Sequence, residues 1–489
     1  MRTSFVPARA KEYRRAGGPW DVPPLDAVLA RSTPAAVLVE GKVRLSGREL
    51  EQRVAELAGG LRAAGVKRRD VVAWQLPNVI EAAMLYRACW RLGAVAAPVH
   101  HQAGSTEVDG MLSAVDPALF LADRNDVRRL GEDAEVVKAV PAAVQPSDFA
   151  VVLFTSGSTG QPKAVLHTHR GLAYKARLMA RAHGLHRGDV VLMPAPLAHI
   201  SGLLNGVLLP GAAGMRSVLM PKWDPSAALD LIETERVSFM IGPPTFFVGL
   251  MGASDFAPAR VESLRLVSSG GAGVSPGFVT EASTLLGCRV KRTYGSTEAP
   301  TITTSTPTDT KERARQTDGR PVGEAEVRLG TDDELLVRGP ELFAGYADVE
   351  QTKHVVERGG WFRTGDKATI DRDGWVTIVG RIKDIVIRGG ENISVAEVEA
   401  VLESHPAVRQ AVAVGVPDAR LGERLVAFVV TSKAFDLAAC RDWFADQGVA
   451  RYKTPERIVV LDSLPTLAAG KPDRTALKEI AASGRKSSL

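Results

Sequence analysis

The sequence predicts an α/β protein: a large N-terminal domain of several sheets, and a small α+β C-terminal domain joined to it by a hinge. Three observations carry this expectation. The 489 residues exceed one ordinary hydrophobic core. Strand and helix patterns alternate through most of the chain, as they do where sheets are mostly parallel. After Glu324 that alternation gives way to short strands with Asp-Gly and Gly-Gly turns.

Taken in order, DVVAWQL reads as a strand, NVIEAAMLYRACWRLG as a helix and AVAAPV as a buried strand. Further on, KAVLHTH alternates like a strand and leads into the helix HRGLAYKARLMARAH. SLRLVSS is a strand and SPGFVTEASTLLG a helix, with Ser275 as N-cap, Pro276 in the first turn and Gly287 past the end. Strand CRVKRTY follows. In the C-terminal third, EVRLG, DELLVRG, KATIDRDGWVTIVG and DIVIRGG are short strands. ISVAEVEAVLESHPAV is a helix opening at Ser394, where Glu397 completes a capping box. RQAVAVGV and ERLVAFVV are strands, and LAACRDWFADQG is a helix. The domain boundary is expected within Gly380 to Val386, giving domains 1–382 and 383–489 with Lys383 as the pivot.

Composition narrows the function classes. The chain is 45% hydrophobic and 24% charged, which is ordinary for a globular protein. A net charge of +5 without a dense basic block argues against nucleic-acid binding. Cys89, Cys288 and Cys440 are far apart, match no zinc spacing and suit a reducing compartment. The basic N-terminus lacks the apolar core of a secretory signal. AAMLYRACWRLGAVAAPV carries Arg87 and Arg91, so it reads as helix and buried strand and not as an integral membrane segment. A cytoplasmic protein is expected.

The stretch LFTSGSTGQPKAV, Leu153 to Val165, looks like a phosphate cradle but is not a Walker loop. Lys163 follows Pro162, which has no N–H, and Ala164 stands where a metal-binding hydroxyl would be needed. Its context is strand, glycine-rich loop, strand, which can still present N–H groups and hydroxyls to anionic oxygens. The alternative is a flexible Ser/Gly turn. Other candidate stretches are YGSTEAP (Tyr294 to Pro300), GWFRTGD (Gly360 to Asp366), GRIKD (Gly380 to Asp384), GGENIS (Gly389 to Ser394) and GKPDR (Gly470 to Arg474).

Together and in this order, these stretches resemble the adenylate-forming enzymes: acyl- and aryl-CoA synthetases, the adenylation domains of peptide synthetases, and firefly luciferase. The resemblance runs from about Arg48 to Leu477, and TSGSTGQPK is its most specific part. It implies joining a carboxylate to the α-phosphate of ATP, work that is mostly charge neutralisation around phosphorus. Thr155, Ser156, Gly157, Ser158, Thr159, Gly160 and Lys163 would hold the β- and γ-phosphates. Glu298, with Thr155, would bind Mg2+, a hard ion that prefers oxygen, and Thr297 would donate to the α-phosphate. The resemblance places Tyr294 and Gly295 with Gly271 and Ala272 at adenine, and Asp366 and Arg381 at the ribose hydroxyls. Lys471 would reach carboxylate and phosphate during adenylation. The alternative is that Asp366 and Arg381 merely pair with each other and Lys471 is solvated.

For the second half-reaction, Gly389 and Gly390 permit the close backbone approach that a thiol channel for coenzyme A requires. Arg388 departs from the small residue usual before them. Arg91 is open to two readings, a CoA phosphate contact or a structural role at the helix end.

His199 of PLAHISG is expected at the acyl site, as a catalytic or lining group. LAHISGLLNG contains no carboxylate to meet a substrate ammonium, which disfavours α-amino acids. Gly242, Gly270, Thr293 and Gly295 suggest an apolar pocket for an alicyclic, aromatic or medium-chain fatty acid. WQLPN and LYRACWRLGAV resemble ligases for cyclic acids such as cyclohexanecarboxylate. Partners are then a small carboxylic acid, ATP and CoA, with a homodimer as a further expectation. Two other readings stay open, an adenylating enzyme loading a carrier protein and a non-catalytic nucleotide sensor.

Overall fold

Among the described residues four sheets organise the chain, and two of them aim their strand ends at one cleft. The computed structural model describes residues 9–29, 33–132, 134–155, 162–382, 385–388, 391–418, 421–467 and 470–483. In the largest sheet, Ala36–Glu40, Arg216–Leu219, Val190–Met193, Phe239–Gly242, Leu266–Ser269 and Arg289–Tyr294 run parallel in that spatial order. Short antiparallel strands close both of its edges. Their apolar runs suit burial on both faces. A second sheet sets Leu119–Leu121, Val71–Gln75, Val95–Val99 and Phe149–Thr155 parallel, followed by antiparallel Lys163–Thr168 and Gly345–Tyr346.

The helix predicted after Asn78 spans Ile80–Leu92 and ends on Gly93, whose φ of 74° is the left-handed conformation a helix C-terminus favours. It is buried all round. Arg87 and Arg91 are 4% and 3% exposed. Arg91 meets Asp26 at 2.6 Å and Glu51 at 2.7 Å, so of the two readings of Arg91 the structure shows the structural one. Helix Pro276–Leu285 starts as its sequence predicts, with Ser275 accepting from the Phe278 N–H at 3.2 Å.

A third, antiparallel sheet holds Glu326–Leu329, Glu334–Arg338, Trp361–Ile370, Val376–Arg381 and Val356–Glu357. The fourth belongs to the smaller C-terminal domain. It pairs Ile385–Arg388, Glu391–Ser394, Gly422–Thr431 and Val408–Asp418 antiparallel, with Arg457–Val460 parallel to Gly422–Thr431. Helix Val395–Glu403 is capped by Ser394, but only half of the expected capping box forms. Glu397 turns away to Lys453, 2.5 Å distant, because an ion pair competes for its carboxylate. Arg388 is held within this domain, its guanidinium on Glu456 and donating to the Tyr452 carbonyl at 2.8 Å. Among the described residues no helix is long and apolar enough to cross a membrane.

Candidate active site

The parallel strands of the largest sheet end at one rim, and loops beyond the carboxyl ends of such strands are where α/β sheets bind ligands. His199 follows Val190–Met193, Gly242 closes Phe239–Gly242, Gly270 to Ala272 follow Leu266–Ser269, and Tyr294 to Glu298 follow Arg289–Tyr294. The second sheet brings Thr155 and Lys163, paired across the hairpin. Ser156, Gly157, Ser158, Thr159 and Gly160 lie outside the described residues, as do Lys383, Gly389 and Gly390.

Asp366 and Arg381 face each other in register at the open end of the hairpin between Trp361–Ile370 and Val376–Arg381. They do pair, Arg381 Nε to Asp366 Oδ1 at 3.2 Å. The partners differ in character: the Arg381 side chain is 65% exposed and the Asp366 side chain 9%. Tyr294 is likewise engaged, its hydroxyl donating to Asp366 Oδ2 at 2.6 Å. Burial first, and then the charge of Asp366, push the Tyr294 phenol well above its ordinary value, so it stays a donor.

Lys471 enters the cleft on a loop of the small domain. Its backbone carbonyl accepts from the Leu467 N–H at 2.7 Å, and the Gly470 carbonyl accepts from the Thr245 hydroxyl of the large domain. A Cβ placed on Gly271, whose φ is +80°, would lie 3.4 Å from Lys471 Cε and 3.9 Å from Nζ. Burial and then Arg381 lower the Lys471 pKa, while Asp366 and Glu298 raise it. Lys471 is exposed, with the end of its side chain beside Gly271. One electrostatic neighbourhood therefore unites Lys471, Arg381, Asp366 and Glu298.

Glu298 is held by groups that sequence reasoning did not single out. Its carbonyl accepts from the Phe343 N–H at 2.8 Å, and its Oε1 accepts from the Tyr346 hydroxyl at 2.8 Å. Lys163 Nζ stands 5.2 Å from the centre of the same Tyr346 ring. The Thr297 carbonyl takes the Nε2–H of His167 at 2.8 Å, and burial lowers that imidazole to about 4, keeping it neutral.

His199 opens the helix Ile200–Leu203 without capping it. Its ring lies 5.3 Å from that of His100, which is 4.6 Å from that of His101. Burial, then His100, Lys471 and His101, bring His199 down to about 3, and burial brings His100 to about 4. Three neutral imidazoles thus line this part of the cleft. WQLPN holds the loops that carry them: Gln75 Nε2 donates to the Ala103 carbonyl at 2.9 Å, while Asn78 donates to the Ala195 carbonyl at 2.8 Å and accepts from the Leu197 N–H at 2.7 Å.

The glycines expected to leave room for substrate serve backbone packing first. A Cβ on Gly270 would sit 2.3 Å from the Thr293 carbonyl oxygen, and one on Gly295 would sit 2.3 Å from the Thr301 nitrogen. The Thr293 hydroxyl is spent on the Thr303 carbonyl at 3.2 Å. At Gly242 the neighbour is instead a side chain, Phe246 Cδ2 at 2.6 Å.

Comparison with known proteins gives the family. The model of the AMP-binding enzyme family matches residues 26–347, and that of the AMP-binding enzyme C-terminal domain matches residues 397–471. The chain belongs to the AMP-binding enzyme family. Within that family it is 32% identical to the medium-chain fatty-acid–CoA ligase of Escherichia coli (strain K12), over 88% of this chain and 84% of that protein. It is 33% identical to a feruloyl-CoA synthase of Amycolatopsis sp., over 90% and 95% of the two chains. The structure of o-succinylbenzoate coenzyme A synthetase from Bacillus subtilis in complex with AMP superposes with a TM-score of 0.81 at 28% identity, covering 96% of this chain and 100% of that one.

Proposed function

We propose that this member of the family is an ATP-dependent carboxylic acid–CoA ligase working in two half-reactions. The acid's carboxylate attacks the α-phosphate and pyrophosphate leaves. The CoA thiol then attacks the acyl carbonyl, loses its proton and displaces AMP. The observation that carries this reading is the convergence of Lys471, Arg381, Asp366 and Glu298 in one cleft, with Lys471 against Gly271. Such an array can bind ribose hydroxyls through Asp366 and Arg381 and offset charge developing at phosphorus through Lys471. Thr297 would donate to the α-phosphate, and Ala272 would lie with Gly271 along the base.

The residues present fit a magnesium ion. Glu298 forms no ion pair among the described residues, and its one hydrogen-bonding side-chain partner there is the Tyr346 hydroxyl. No three His, Cys, Asp or Glu side chains among the described residues gather to cage a metal. One carboxylate with the Thr155 hydroxyl suits Mg2+, which keeps water and phosphate oxygens as its other ligands. When bound, the ion supplies charge neutralisation at the phosphates. We place the two domains at 1–382 and 383–489 with Lys383 as pivot, and assign Gly389 and Gly390 to the thiol channel.

The acid is read as apolar and alicyclic, aromatic or medium-chain. Neutral imidazoles at His100, His101 and His199 offer flat, uncharged contact, and no carboxylate in His199 to Gly206 would balance a substrate ammonium. A panel of carboxylic acids, assayed by CoA consumption with mass detection of the thioester, tests the proposal. Apolar cyclic, aromatic and medium-chain acids should be turned over with release of AMP. Adenylation without any thioester to CoA would transfer the reading to a carrier-loading enzyme, and no acid-dependent ATP use would leave only a nucleotide sensor.

A further inference from the structure

We infer that Tyr346 is a positioning residue that sets the two charges flanking the polyphosphate, the Glu298 carboxylate and the Lys163 ammonium. The inference rests on the reading of Glu298 as the magnesium ligand and adds a residue to it. Tyr346 is 3% exposed. It lies on the two-residue strand Gly345–Tyr346, which pairs antiparallel with Lys163–Thr168, Tyr346 opposite Val165. Its own N–H donates to the Thr352 hydroxyl at 2.8 Å, and the neighbouring Ala347 N–H to the Ala164 carbonyl at 2.9 Å. The ring is wedged by Phe343, 5.1 Å away and near perpendicular. The phenol is thus fixed from three sides before it meets either charge.

From that position it does two separable things. The hydroxyl donates to Glu298 Oε1 at 2.8 Å, which orients the carboxylate and leaves its other oxygen for a cation. The ring face lies 5.2 Å from Lys163 Nζ, within the range of cation–π attraction, and gives the loop lysine a seat. Groups that orient a metal's ligands commonly account for ten- to a hundredfold in metal affinity.

Two variants separate these roles. Tyr346→Phe keeps the ring and removes only the hydroxyl, and Tyr346→Leu removes both. Calorimetric titration with α,β-methylene-ATP, with and without Mg2+, gives for each protein the ratio by which the metal tightens nucleotide binding. Tyr346→Phe should reduce that ratio by about tenfold while leaving metal-free nucleotide binding unchanged. Tyr346→Leu should reduce it as much and also weaken metal-free binding about two- to fivefold. A purely structural role would lower both bindings together or neither. Glu298→Gln is the reference. If it removes the metal effect while Tyr346→Phe keeps the wild-type ratio, the inference is overturned and the magnesium assignment stands. If Glu298→Gln itself retains the ratio, the magnesium assignment fails and the inference falls with it.

Discussion

Glu298 and Lys471 meet in the same cleft but are anchored by opposite means. The Glu298 loop is tied into the interior. Phe343 holds its carbonyl, Tyr346 its carboxylate, and Lys175 Nζ donates to the Thr301 carbonyl just beyond it at 2.7 Å. Lys175 in turn pairs with Glu341 at 2.9 Å, both side chains fully buried. The Lys471 loop touches the large domain through the Thr245 hydroxyl on the Gly470 carbonyl and through packing of Gly470 against Phe246 and Pro243. Further polar contacts between the domains are the Ser394 hydroxyl donating to the Val379 carbonyl at 3.0 Å and Glu403 with Ser275. The first anchor is backed by a buried ion pair, and breaking that pair would leave an uncompensated charge. The second can release by giving up a few hydrogen bonds, as interfaces between domains of one chain commonly do. Glu298 is thus built into the scaffold of the large domain, whereas Lys471 reaches the cleft from the small one.

The largest effect expected from this contrast is at the fixed side. Glu298→Ala should lower acid-dependent pyrophosphate exchange on the order of a hundredfold or more. Exchange at the wild-type rate with normal magnesium dependence would refute its assignment. On the delivered side, Lys471→Ala should slow adenylation on a similar scale, yet leave thioester formation from preformed acyl-adenylate and CoA nearly intact. Lys383→Pro should do the reverse, since proline locks the φ that a pivot must change. Equal loss of both half-reactions in both variants would end the assignment of Lys383 as a pivot that separates them.

Glycine substitutions sharpen the contrast further. Gly295→Ala puts a methyl into backbone at 2.3 Å within the fixed loop, so activity should fall alike for every acid, with a lowered melting temperature. Gly242→Ala meets only the Phe246 ring, which can turn, so losses should grow with the size of the acid. Size-dependent losses in Gly295→Ala would contradict the packing described for it.

The smallest effect concerns docking. Burial pushes the Glu403 carboxyl up to about 8, from an ordinary value of 4.5. Its contribution to the folded, docked state is complete below about pH 4.5 and is lost as pH rises toward 8, because the charged form is the one disfavoured by burial. Glu403→Gln should flatten the fall of thermal stability between those limits. An unchanged pH profile in the variant would show that Glu403 does not govern the contact.

Local chemistry made much of this legible in the sequence. Ser275, Pro276 and Gly287 bracket a helix by rules acting within one turn, and Leu153 to Val165 is readable as part of a hairpin because KAVLHTH alternates like a strand while Pro162 and Ala164 exclude the Walker alternative. The motifs named the charges but not what holds them. Tyr346 lies 48 residues from Glu298 and meets it only through the pairing of Gly345–Tyr346 with Lys163–Thr168, which no local pattern encodes. His100 and His101 sit at the end of a different sheet from His199, and only folding brings the His100 ring against His199 and the His101 ring against His100. Glu397 was misjudged for a related reason: its capping partner is local, but Lys453 outcompetes it from 56 residues away.

In the proposed function one cleft makes an acyl-adenylate and then passes the acyl group to a thiol. Rapid-quench analysis of enzyme, MgATP and a turned-over acid, first without and then with CoA, tests it most directly. The account predicts an enzyme-bound acyl-adenylate formed with one equivalent of pyrophosphate, then converted to acyl-CoA with one equivalent of AMP on adding CoA. Thioester appearing with no adenylate before it, or adenylate that CoA never consumes, would contradict it.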